Sequence, residues 1–286
     1  MIADILQYEF LQNAFITGLI IGIIGPLLGV FIVVRRLSLI ADALSHVTLA
    51  GIAASLLIEK KFLPAGSLNP LYMGMAFSVV GSLFIEKLRT VYKHYQELAI
   101  PIILSSGIGL SVIFISLADG FNTDLFSYLF GSVSAVSRTD LWMVVIISVF
   151  VIAIIILLYK ELFLISFDEE HAKASGLPVK ILHLIFIIMV ALVIAASMRI
   201  VGILLVSSLM TLPVAAAIRV ANGFKQTILY SILFGETAVI GGLSSAYYLD
   251  LAPGGTIVMI SVLILILSIL FKKGMHKKAI KRGGEA

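Results

Sequence analysis

The 286 residues contain no cysteine and one tryptophan, and only 13% of them are charged. Without cysteine there are no disulfides, no thiolate catalysis and no cysteine metal site, and the redox compartment stays open. Gly-Lys-Ser and Gly-Lys-Thr are missing as well, so the chain holds no P-loop for nucleotide phosphates. The absence of His-Glu-x-x-His and Gly-x-Ser-x-Gly argues against a zinc protease or a serine hydrolase. Charge is scarce beside the quarter or so expected of a soluble domain.

What is abundant is apolar: 60% of the residues are hydrophobic and the mean hydropathy is +1.15. That is too much apolar surface for one water-soluble core, so the chain reads as an all-α, polytopic membrane protein lodged in a lipid bilayer. A spanning helix needs about 20 apolar residues, so the length allows eight to ten spans. No room is left for a folded soluble domain such as a nucleotide-hydrolysing one. The net charge of +4 fits basic cytoplasmic loops, with no nucleic acid partner expected.

Nine apolar segments stand out, at 13–34, 37–58, 65–85, 98–118, 141–159, 181–198, 200–218, 227–248 and 254–271. Acidic Asp4 and Glu9 precede the first, which therefore reads as a span and not a cleavable signal. Lys60, Lys61, Arg138 and Arg199 fall on one side, and the remaining sixteen of the twenty basic residues on the other. Basic residues mark the cytoplasmic side, which places the N-terminus outside and the C-terminus inside, and an odd number of spans satisfies the split. The external loop 119–140 contains a mostly apolar stretch, 125–136, too short to span and read as an interfacial or re-entrant helix. The basic stretch 272–286 reads as a solvated cytoplasmic tail. Residues 1–286 are read as a single transmembrane domain.

Three ionisable residues interrupt the apolar background: Asp42 and His46 in the second span and Glu236 in the eighth. A charge near the bilayer centre costs about 2.5–3.5 kcal/mol on insertion scales, so it calls for a reason. Asp42 and His46 are four residues apart and share one helical face. At 1.5 Å per residue, His46 and Glu236 fall within about 3 Å of the midplane and Asp42 about 8 Å to the cytoplasmic side. One imidazole and two carboxylates can hold Zn²⁺ or Mn²⁺. A buried Asp–His hydrogen bond that merely joins helices, or a proton relay, uses the same residue types. His183, two residues inside the sixth span, reads as an ordinary interfacial histidine.

The cytoplasmic loop 160–180 contains Asp168, Glu169, Glu170, His171, Ala172, Lys173, Ala174, Ser175 and Gly176. Acidic residues at its start and Gly176 near its end predict a short amphipathic helix. It can dock into another protein or lie on the headgroups.

The stretch Val34-Arg35-Arg36-Leu37-Ser38-Leu39-Ile40-Ala41-Asp42-Ala43-Leu44-Ser45-His46-Val47-Thr48-Leu49-Ala50-Gly51 resembles the signature of the permease subunits of bacterial zinc/manganese/iron ABC importers. The loop around Asp168–Gly176 is similar to that family's coupling segment, and Leu129-Phe130-Gly131-Ser132 to its external Leu-x-Gly-Ser element. The resemblance covers essentially the whole chain. It implies a fold similar to cobalamin-type (type II) importers and a permease pair resting on two cytoplasmic ATPases. It also implies an extracellular metal-binding protein that feeds them, in a bacterial plasma membrane. Asp42, His46 and, with less diagnostic surroundings, Glu236 would take the metal. Asp168, Glu169, Glu170, Ala172, Ala174 and Gly176 would couple to the ATPase.

Within that family, Ala-Asp-Ala-Leu-Ser-His-Val-Thr-Leu-Ala-Gly looks more like the zinc branch, with departures from the manganese pattern at Val47, Thr48 and Ala50. The expectation is therefore zinc first and manganese or iron second, carried as cargo, with no permanently bound cofactor and no enzymatic activity of the chain's own. A proton-coupled secondary metal transporter, or a sensor without flux, is the competing class.

Overall fold

The computed structural model describes residues 7–62, 64, 68–118, 120 and 123–283, and among these no strand occurs. The helices are α1 (Glu9–Val34), α2 (Leu39–Phe62), α3 (Pro70–Val91), α4 (Ala99–Leu117), α5 (Thr123–Phe130), α6 (Arg138–Leu157), α7 (Tyr159–Phe167), α8 (Glu169–Ala174), α9 (Val179–Val201), α10 (Ile203–Val220), α11 (Phe224–Leu249) and α12 (Pro253–Gly283). Among the described residues, eight of the helices are long and apolar enough to cross a membrane: α1, α2, α3, α4 with the 3₁₀ turn before it, α6, α9, α11 and α12 as far as Lys273.

The seventh segment, expected over 200–218, is α10, an apolar helix shifted to Ile203–Val220 and standing outside the eight counted. The reason is where the chain breaks. Gly202, at φ +83°, ends α9 after Val201, so Arg199 and Ile200 remain in α9. The third span also shifts. Asn69 accepts a hydrogen bond from the Leu71 amide at 3.1 Å and Pro70 opens the helix, so α3 starts there and runs on to Val91. The expected start at 65–67 lies outside the described residues. The shift draws Glu86 and Arg89 into a helix that the sequence reading ended at residue 85.

The buried centre is α9, which packs against α1, α2, α3, α6, α10 and α12. Its Phe186, Ile187, Val190, Val193 and Ile194 are fully enclosed. The outer faces of α4, α6 and α12 expose large apolar side chains, among them Val112, Ile146, Val149, Leu267 and Leu270. Such a belt suits hydrocarbon, because apolar patches of that extent are rare on water-facing surfaces. Close helix approach depends on small residues. A Cβ on Gly51 would lie 2.6 Å from the Met73 carbonyl oxygen, which fixes α2 against α3.

The apolar stretch 125–136 is only partly helical. The helix is α5, which stops at Phe130, and Gly131 turns the chain at φ +79°. The last helix stays helical to Gly283, well past its apolar part, so the expected solvated tail has a helical backbone.

Candidate functional site

Asp42 and His46 lie on α2, one turn apart, and both are half-buried. The helix begins two residues later and ends four residues later than expected. Its midpoint therefore moves, and Asp42 and His46 sit about 13 Å and 7 Å from it, toward the Arg35 end. Asp42 occupies the first turn, where the helix dipole favours a carboxylate. Neither side chain makes a hydrogen bond or ion pair among the described residues. Helix α4 closes on this turn of α2: a Cβ on Gly107 would lie 2.9 Å from the Val47 amide nitrogen and 3.1 Å from the His46 carbonyl carbon. The pair is thus fixed by backbone packing, while its polar atoms remain free to take a ligand.

Glu236 lies at the middle of α11, as expected. Its carboxylate is directed at α1: a Cβ on Gly22 would come within 2.6 Å of Oε1. That oxygen is buried without a hydrogen-bond partner. Gly235 brings the helices together, since a Cβ there would meet the Gly22 carbonyl oxygen at 2.8 Å. Among the described residues no group of three or more His, Asp or Glu side chains is arranged to hold a metal. The three sequence-chosen residues therefore occur as one pair on α2 and one separate carboxylate on α11.

The segment 160–180 forms two helices and not one. Asp168 separates α7 from α8 and caps α8, accepting from the His171 amide at 2.8 Å. Glu169 pairs with Lys173 at 2.7 Å. Burial raises the Glu169 carboxyl, but the Lys173 hydrogen bond and the charges of Lys173, Arg89 and Arg35 outweigh it and hold the group below the usual carboxylate value. Gly176, at φ +80°, turns the chain out of α8. Ala172 is fully enclosed in a small core with Ile165, Val179 and Leu182, whereas Glu170 and Ala174 are exposed. One side of α8 thus anchors to α7 and α9 and the other is presented outward.

Two features were not legible in the sequence. His183, near the start of α9, is enclosed by protein: it is 3% exposed, with Nε2 3.8 Å from Glu86 Oε2. Beside it, the Arg35 guanidinium lies 5.1 Å from the Phe186 ring centroid. Burial, and then Arg89, push Arg35 down to about 10, which leaves it a cation at neutral pH. At the other end of the bundle Arg199 is not a loop residue. Its Nη1 donates to Asp140 Oδ2 at 2.7 Å and to the Ala135 carbonyl at 2.8 Å, and its Nη2 to the Tyr128 hydroxyl at 3.0 Å. Partnerships of this kind depend on residues 59 or more apart and leave no local pattern.

The ABC 3 transport family model matches residues 7–272. A "Probable metal transport system membrane protein" of Treponema pallidum is 36% identical over 264 residues, which cover 92% of this chain and 96% of that protein. The "Manganese transport system membrane protein MntC" of Listeria monocytogenes is 35% identical over 274 residues, covering 95% and 94%. Among solved structures, PsaBC from Streptococcus pneumoniae in complex with Fab superposes with a TM-score of 0.80 at 33% identity over 94% of this chain and 95% of that one. An inward-facing putative metal-chelate type ABC transporter shares the fold at TM-score 0.65 and 17% identity, over 91% and 85%. The chain belongs to the ABC 3 transport family, as a multi-pass transport subunit and not an enzyme in its own right.

Proposed function

We propose that the chain is the membrane permease of an ATP-driven importer of a divalent transition metal, with manganese ahead of zinc. The observation that carries the metal is the 35% identity over 274 residues to a protein named for manganese transport. The zinc expectation rested on Val47, Thr48 and Ala50, and their surroundings weaken it. Thr48 is fully buried, donates to the Leu44 carbonyl of its own helix at 2.7 Å and faces Gly74 of α3. Ala50 is fully buried, and Val47 abuts Gly81 and Gly107. These three positions pack helices and supply no ligand, so they say little about the ion. Imidazole and carboxylate accept either metal.

In this reading Asp42 and His46 bind the passing ion as a pair, and Glu236 supplies a second acidic station beside α1. A weak site suits transport, because the ion must also leave. ATP is hydrolysed on a separate cytoplasmic ATPase, and an extracellular metal-binding protein delivers the ion. Two copies of the chain form the pathway, and helices switch its opening between the two faces of the plasma membrane. The end carrying Arg35, Arg89 and Lys180 faces the cytoplasm, with the N-terminus outside. The outward side of α8, with Glu170 and Ala174, meets the ATPase, and Asp168 and Gly176 set its ends.

The test is metal-competition uptake in vesicles that contain all subunits. The expected result is ATP-dependent Mn²⁺ uptake that an equal concentration of Zn²⁺ does not displace. Preferred uptake of Zn²⁺ overturns the choice of metal. Uptake that persists with an inactive ATPase overturns the ABC reading.

A further inference from the structure

A cavity of about 310 Å³ opens where α3, α8 and the start of α9 meet, at the Arg35 end of the bundle. Four cations line it: Arg89, Lys93, Lys173 and Lys180. The two carboxylates in its wall each face a cation. Glu169 is paired with Lys173 at 2.7 Å, and Glu86 lies 3.6 Å from Arg89. Lys93 and Lys180 have no ion-pair partner among the described residues. Helix α9 begins in the wall with no side-chain cap and no acidic residue in its first turn, so its positive end adds to the surplus.

Three buried polar groups in this wall lack hydrogen-bond partners: His183, Arg89 Nη1 and Glu86 Oε2, the last an acceptor set among the cations. His183 is 3% exposed, and neither of its ring nitrogens makes a hydrogen bond. Arg89 Nη2 donates to Gln96 Oε1 at 3.1 Å, while its buried Nη1 has no hydrogen-bond partner. Leaving such groups unsatisfied is unfavourable. Water could satisfy the nitrogens, but it would not offset the surplus of positive charge. Four cations against two carboxylates leave the wall net positive, which disfavours a metal ion.

We propose that this cavity is an anion site that takes a phosphate group, either inorganic phosphate or the phosphodiester of an anionic lipid headgroup. A phosphate matches the donors, because they converge from several directions and a tetrahedral anion offers acceptors to all of them. The site is distinct from the proposed ion pathway. It joins α8 to α3, so occupancy ties the outward-facing segment to the bundle.

The test uses the full chain in phosphatidylcholine vesicles, with thermal unfolding as the readout. Inorganic phosphate is the first probe, against chloride at equal ionic strength. The second is replacement of half the lipid by phosphatidylglycerol. The Lys93→Gln/Lys180→Gln variant changes two exposed side chains, and Lys87→Gln, on α3 but outside the cavity, is the control. Free phosphate as the ligand gives a saturable rise in Tm with phosphate, weakened on the order of tenfold in the double variant and retained in Lys87→Gln. A lipid headgroup gives the rise with phosphatidylglycerol and the same dependence on Lys93 and Lys180. No stabilisation by either probe, or equal stabilisation of the double variant, overturns the proposal.

Discussion

Arg199 Nη1 stands 2.7 Å from Asp140 Oδ2 and joins the last turn of α9 to the first turn of α6. Asp140 is almost fully buried, and the same oxygen accepts from the amide and hydroxyl of Ser137, which closes the start of α6. Removing the arginine strands a buried carboxylate. Arg199→Gln is expected to lower stability by about 2–3 kcal/mol, discounted for the quarter of the arginine that is exposed. Asp140→Asn should cost a similar amount. A double-mutant cycle by detergent unfolding should show the two changes to be strongly non-additive. Simple additivity would mean that the pair contributes nothing as a pair.

Close by, Gly202 holds α5 in place. Its backbone angles, φ +83° and ψ 149°, are open in practice to glycine alone. A Cβ there would also lie 2.5 Å from the Leu129 carbonyl oxygen and 2.6 Å from the Gly131 amide nitrogen. The Ser132 amide donates to the Arg199 carbonyl at 2.9 Å across the same contact. Gly202→Ala should therefore cost about 3 kcal/mol or more and reduce the folded yield in membranes. Gly120→Ala makes a useful contrast: φ is +87° but no atom lies within 4 Å of the added Cβ, so only the backbone term of about 1 kcal/mol applies. Equal losses for the two variants would show that the α5 contact is unimportant.

These features mark where sequence reading stops. Long apolar runs declared the helices, because hydrocarbon imposes that pattern on any spanning segment. The pairing of Asp42 with His46 needed only the helical repeat. The failures came where tertiary contact decides. Whether the chain breaks at Arg199 or at Gly202 depends on the carbonyls of α5, and His183 is buried because α3 continues past residue 85 to Val91. Glu236 stands out in the sequence against an apolar run, but helical depth alone does not tell which neighbour it faces. That neighbour is α1, through Gly22.

The proposed ion stations respond differently to substitution. Asp42→Ala and His46→Ala remove ligands that make no structural bond among the described residues, so folding should be preserved while metal uptake falls at least about tenfold. Glu236→Gln should keep the packing of α11 on α1 and lose uptake. Gly22→Ala tests the same station without touching the carboxylate itself. Its Cβ displaces the end of the Glu236 side chain, so uptake should fall while Tm changes little. Full uptake in Asp42→Ala, His46→Ala and Glu236→Gln together would remove all three residues from the pathway.

The two sides of α8 separate folding from coupling. Ala172 has no free space, so Ala172→Leu overpacks the small core of Ile165, Val179 and Leu182 and should loosen α8 by about 1–3 kcal/mol. Ala174 is exposed, so Ala174→Leu should leave the fold intact and lower ATP-driven uptake only by obstructing the partner. Glu169 adds a pH signature. Its carboxyl titrates below the unfolded value, so its pairing stabilises α8 fully above the ordinary carboxylate pKa and is lost as pH falls through the lowered one. Glu169→Gln should therefore weaken α8 by about 0.3–0.5 kcal/mol at neutral pH, a figure already scaled for an exposed helical pair. The difference should shrink as pH falls below the ordinary carboxylate range and vanish once the lowered pKa is passed. Amide exchange across residues 169–174 measures both conditions, and a difference that persists unchanged in acid would show that the Lys173 pairing does not hold the helix.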